Sequence, residues 1–208
     1  MDAAGVDGPE RAGYRRSAGS ARGEARRREL LERVTDDLAA NGLVDFSLRR
    51  AARAAGTTHK VLLYYFAGAD DLLEQAVFRL RDRRIDKGMA AANTGHRSLA
   101  DRVRAMWPVL VGAEGYVLDQ AIGLAMYDPG RHAALGREAS KQYLPSLLSI
   151  LPAPWSDRRK LEVAEMILAT LRGFLVDSRT SGDAAGIAAG FEALARALDR
   201  EEAAMDTL

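Results

Sequence analysis

Cysteine is absent from the chain. That excludes a disulfide framework and any metal site built on thiolates. Histidine is scarce too: His59, His96 and His132 lie far apart, and none has the His-Glu-x-x-His spacing that would put two imidazoles on one helix face. No Gly-x-Ser-x-Gly elbow and no phosphate-cradling Gly-rich loop occurs. The paired carboxylates Asp36-Asp37, Asp70-Asp71 and Glu201-Glu202 are sequence neighbours, so on a helix they splay apart rather than converge. The expectation is a protein with no catalytic residues, no metal and no cofactor, hence not an enzyme. Each histidine reads as a surface or loop residue, apart from His59. A long apolar run is also missing, which removes a membrane-spanning helix and with it a membrane partner. The N-terminus lacks the apolar core of a signal peptide, and a cytoplasmic protein is expected.

What the chain does have is uneven charge. The net charge is only +1, but residues 11–60 hold twelve Lys/Arg against six Asp/Glu. That segment therefore carries +6 and the remainder −5. Asymmetry of this kind suits one end to a polyanion, although a solvated basic tail would look the same. Tyr14, Arg15, Arg16, Arg22 and Arg26–Arg28 lie in or beside a stretch rich in Gly, Ala and Ser. Residues 1–24 are expected to be a disordered basic arm able to touch DNA backbone or minor groove.

Next to that arm stands the most specific segment, Ser47–Phe66. Ser47 suits an N-cap. Leu48, Ala51, Ala52 and Ala55 recur at helical spacing and make a thin apolar face that a second helix can approach closely. Gly56 falls where a left-handed residue ends a helix, and Thr57 or Thr58 can cap the next one. In that second helix Val61, Leu62 and Phe66 point inward. His59, Lys60, Leu63 and Tyr64 then form a donor-rich outer face suited to base edges, phosphates and thymine methyls. The pattern is a helix-turn-helix. An ordinary helical hairpin inside a core shares it.

Residues 26–78 resemble the DNA-binding domain of the TetR family of transcriptional regulators. The likeness rests on RRRELLERVTDDLAANG, LVDFSLRRAARAAG, GTTHKVLLYYF and AGADDLLEQAVF. Leu62 and Phe66 match the family pattern; Leu63 stands where Tyr is usual and Tyr65 where His is common. Motif and resemblance together make Ser47, Arg49, Arg50, Thr57, Thr58, His59, Lys60, Leu63, Tyr64 and Tyr65 the candidate DNA contacts.

The rest of the chain shows no sustained period-two alternation, so the fold class is all-α. Expected helices cover residues 25–41, 99–113, 116–127, 131–150, 157–180 and 184–204, with a fourth helix running from Asp70-Asp71 into the charged run RLRDRRIDKG. Trp107-Pro108 is a candidate kink. The expected layout is a helix-turn-helix domain over residues 25–68 and a larger helical bundle over 69–208, with a ligand pocket and a dimer interface. The last two helices resemble the dimerisation region of TetR-type proteins, although they could equally close a monomeric core. Two recognition helices related by a two-fold axis could read a palindromic double-stranded operator with half-sites about 34–36 Å apart. Trp107, Tyr116, Gln120, Met126, Tyr127, Tyr143, Met166, Thr170 and Phe174 mix aromatics, methionine and isolated polar groups, as ligand-cavity walls do. Plain core would show the same stripe. The resemblance implies an effector, and the scattered apolar residues favour an apolar or aromatic one. The function expected is a homodimeric repressor released by a small molecule. The competing reading is a helical ligand-binding or scaffold protein without specific DNA recognition.

Overall fold

A computed structural model describes residues 20–95 and 98–204. All regular structure among these residues is helical: α1 (Ala21–Asn41), α2 (Leu48–Ala54), α3 (His59–Tyr65), α4 (Ala69–Ala92), α5 (Leu99–Val111), α6 (Ala113–Tyr127), α7 (Pro129–Ser149), α8 (Asp157–Thr180) and α9 (Ala184–Ala203). Residues 1–19 of the expected arm, with Tyr14, Arg15 and Arg16, lie outside the described residues, as does His96. The last four residues of the arm do not belong to it. Ser20 caps α1 by accepting from Gly23 N, so the helix starts four residues before the expected position.

The chain divides into two compact units, Met1–Ala76 and Val77–Leu208, and the division falls inside α4. The first unit therefore extends beyond residue 68. Its core is Leu30, Val34 and Leu38 of α1, Ala51 and Ala52 of α2, Ala55, Leu62 of α3, Phe66, and Leu72 and Leu73 of α4. The alanines keep the α1–α2 and α2–α3 contacts short, as their spacing predicts. Val61, expected inside, is only half-buried, as are Leu31, Leu43 and Phe46.

In the second unit α5, α8 and α9 enclose a continuous core that includes Val103, Met106, Trp155, Ile167, Leu171, Phe191 and Leu198. Trp107, Phe174 and Phe191 form one aromatic cluster, with ring centroids 5.2–6.2 Å apart. Phe174 seats against Gly190: a Cβ there would come within 2.7 Å of its ring. Glu202 of α9 closes the N-terminus of α5 by accepting from Leu99 N at 2.8 Å.

Two expected boundaries move for physical reasons. The expected helices 99–113 and 116–127 leave Gly115 between them, yet α6 begins at Ala113 and passes through it. The break is at Gly112, where α5 and α6 meet at 81°. Gly115 is there because α6 crosses close to the end of α5; a Cβ would overlap the carbonyl of Leu110. Asp128-Pro129-Gly130, left between the expected helices 116–127 and 131–150, starts α7, with Pro129 in the first turn and Asp128 accepting from Arg131 N. His132, expected at the surface, is buried. Among the described residues no single helix is long and apolar enough to cross a membrane; the bent pair α5 and α6 meets that test only jointly.

Candidate DNA-reading surface and ligand cavity

The turn between α2 and α3 is built from local rules. Gly56 has φ +63°. Gly56 N donates to Arg53 O at 3.1 Å and Thr57 N to Ala52 O at 2.9 Å. That pair of reversed bonds is a Schellman motif, and it satisfies the last carbonyls of α2. Ser47 Oγ caps α2 by accepting from Arg50 N, and Thr58 Oγ1 caps α3 by accepting from Val61 N. With both helices capped, Leu62 and Phe66 anchor α3 and its other face turns outward. His59 and Lys60 are exposed, and Leu63 is 47% exposed. Tyr64 and Tyr65 are half-buried and pack edge to face at 4.7 Å. Thr57 is half-buried, while Ser47, Thr58 and Arg49 are exposed.

Arg50 differs from the other candidate contacts. Its guanidinium pairs with Asp37 at 2.7 Å and donates to the carbonyls of Val44 at 2.7 Å and Gly42 at 2.9 Å. It is a staple between the end of α1 and α2, committed inside the unit. Arg27 does similar work, donating to Tyr65 O and Gln75 and lying over the Phe66 ring. Arg22 and Arg28, grouped above with the basic arm, and Arg53, not singled out at all, are further exposed cations of this unit. Nothing local distinguishes them in sequence; exposure is a tertiary fact.

The second unit holds a cavity of about 80 Å³. Its wall is mostly apolar: Ile85, Met89, Met106, Leu110, Leu118, Ile122, Leu147, Leu168 and Leu171 among others. Four charged residues interrupt it, Arg81, Arg84, Asp119 and Arg172. Arg81 is 2% exposed and donates to Gln142 Oε1 at 2.6 Å and to the Leu135 carbonyl at 3.0 Å. Burial pushes its pKa down, and the pKa of Arg172 for the same reason. Asp119 accepts from Arg179 Nε at 3.1 Å, yet burial raises its carboxyl pKa. Arg84 stacks over the Tyr143 ring at 5.6 Å, while its Nε and Nη1 are buried without a hydrogen-bond acceptor.

Of the nine candidate pocket residues, Tyr143 lines this cavity. Trp107 and Phe174 belong to the aromatic cluster with Phe191. Tyr116, Met126, Tyr127 and Met166 are exposed, Tyr116 beneath the guanidinium of Arg179. Gln120 and Thr170 are half-buried, and Thr170 Oγ1 donates back to Met166 O. Arg81 and Arg84 were missed because RLRDRR reads as a solvated charge run. A usable signal was present: Val77, Arg81, Arg84 and Gly88 recur at helical spacing on one face of α4. No group of His, Asp or Glu able to hold a metal occurs among the described residues.

No family model matches the chain, and no curated protein does. Solved structures do match. A TetR-family transcriptional regulator from Cytophaga hutchinsonii superimposes with TM-score 0.63 at 15% identity, over 86% of this chain and 96% of that one. The fold is that of the TetR-family regulators. The multidrug binding protein EbrR shares it, solved with imidazole (TM-score 0.60, 19% identity, 82% of this chain and 93% of that one). Its proflavin complex gives TM-score 0.60 at 18% identity, covering 82% and 98%. Within the TetR fold the capped turn and outward α3 described above occupy the N-terminal unit, and the cavity lies in the C-terminal one.

Proposed function

We propose that this chain is a homodimeric, ligand-responsive transcriptional regulator that represses by binding a palindromic operator. The observation that carries the reading is α3. It is a short helix held by a Schellman turn, a threonine cap and two buried anchors, and it turns His59, Lys60 and Leu63 to solvent on a TetR fold. The geometry suits insertion into a major groove, with Arg49 and Thr58 at the helix ends near phosphates.

A dimer suits this arrangement, because seven residues of α3 span only a few base pairs. Leu161, Met166 and Val176 of α8 and Ala188, Ala189 and Ala193 of α9 are exposed apolar side chains, interspersed with charged ones such as Glu162 and Glu192. Such a surface supports pairing with a second copy. The EbrR structures hold imidazole and proflavin; by analogy, the cavity here takes an effector with substantial apolar or aromatic surface. Arg81 and Arg84 stand on α4, the helix that follows the reader, so a ligand among them can bias the DNA-competent state. Release requires that the effector bind the incompetent state more tightly.

The test is binding of the purified protein to DNA from its own upstream region across a salt series. Saturable binding that survives excess random DNA is expected, and Lys60→Ala should weaken it and reduce the salt slope by about one. A scaffold protein would bind weakly, without sequence preference, and would keep its partner in Lys60→Ala with Tyr64→Ala. Sedimentation at micromolar concentration checks the dimer; a monomer there would refute it.

A further inference from the structure

We propose that the cavity of the second unit binds a small apolar acid, a monocarboxylate whose head group is held by Arg84 and Arg172. This names the chemistry of the effector site proposed above, and its regulatory meaning rests on that reading. Three guanidiniums line the cavity against one carboxylate, Asp119, and that carboxylate is already engaged by Arg179 at 3.1 Å. Buried charge is costly unless it is paired and hydrogen-bonded.

Arg81 meets that condition through Gln142 and the Leu135 carbonyl. Arg84 does not. It is 5% exposed, and neither Nε nor Nη1 has an acceptor among the described residues. Arg172 uses Nη1 on Ser140 Oγ at 3.1 Å and leaves Nη2 buried without an acceptor. Tyr143 adds to the cluster, its ring lying under Arg84. Two cavity cations thus share three uncommitted nitrogen donors. A bound anion supplies both the missing charge and the missing acceptors.

The remaining wall sets the rest of the ligand. Apart from Ser146, that wall is apolar, and Ile85, Met106, Ile122 and Leu168 favour a hydrocarbon tail over a second charged end. At about 10–15 Å³ for each water, the cavity has room for roughly five to eight waters. That fits a short carboxylic acid and excludes a nucleotide or a sugar phosphate.

Calorimetric titration of the full-length protein tests the proposal. The probes are straight-chain acids from butyrate to decanoate, then the alcohol, amide and amine bearing the tail of the best acid. At least one acid should bind, with the alcohol and amide about tenfold or more weaker and the amine silent. Arg84→Met should weaken the acid by about ten- to a hundredfold without lowering the unfolding midpoint, because the buried cation leaves with its unmet donors. Arg172→Met provides a second variant with the same expected loss. Absence of acid binding through the millimolar range overturns the proposal, as does equal binding of all head groups or unchanged affinity in both variants. An acid that binds as described but leaves operator affinity untouched supports the site and refutes its role as effector.

Discussion

Replacing Gly115 by alanine isolates the cost of the close crossing between α5 and α6. A Cβ at 115 would overlap the Leu110 carbonyl oxygen and stand 3.2 Å from its carbon. To restore an ordinary carbon–oxygen contact of about 3.3–3.6 Å, the two helices must part by well over 1 Å. The obstacle is backbone rather than a movable side-chain tip, so the cost belongs at the upper end of overpacking, about 3 kcal/mol. Gly123 lies on the same helix with nothing within 4 Å of its would-be Cβ. There the same substitution should stabilise by about 0.4–1 kcal/mol through helix propensity and a less free unfolded chain. Propensity is close to common to both variants, so their difference reads the steric term, about 3 kcal/mol, or about 6–12 °C in melting temperature. Both tryptophans, Trp107 and Trp155, lie in the second unit, so urea unfolding followed by fluorescence at fixed protein concentration reports it directly. Equal shifts in the two variants, or a Gly115→Ala protein as stable as the parent, would refute the reasoning.

Gly56→Ala should cost about 1–2 kcal/mol, because φ +63° disfavours a residue with a Cβ. Gly56→Asn should cost less, and equal losses by far-UV melting would argue against the left-handed turn as the cause. The raised pKa of Asp119 makes a signed statement about pH. The folded state holds this proton more firmly than the unfolded chain, so its favourable contribution is full below the unfolded pKa and lost as pH rises through the folded one. Asp119→Asn should therefore gain in melting temperature relative to the parent between about pH 4 and pH 7; a gap that narrows over that range would contradict the burial cause.

The helix-turn-helix was legible because every decision in it is local. Ser47, Thr58 and Gly56 each act within four residues of themselves, and caps and left-handed stops follow fixed offsets. The C-terminal unit was legible as helices but not as a site. Gly115 has a break's composition and a crossing's role; only the position of Leu110 separates the two. Trp107 and Phe174 share chemistry with a pocket wall, yet Phe191, from a helix about 20 residues downstream, draws them into core. Arg81, Arg84 and Arg172 were the opposite case, with the composition of surface and the environment of interior. Arg50 likewise reads as a phosphate contact until the carbonyls at the end of α1 are in place around it.

The notch that Gly190 offers to Phe174 limits how this protein can drift in evolution. The two positions sit on different helices, yet neither is free to change alone. A methyl at 190 displaces the ring, and the ring also packs on Trp107 and Phe191. Lineages that acquire a larger residue at 190 should carry a smaller one at 174, and those that keep the phenylalanine should keep the glycine. Co-variation of that pair would mark descendants that preserve this α8–α9 spacing, whatever ligand their cavity comes to hold.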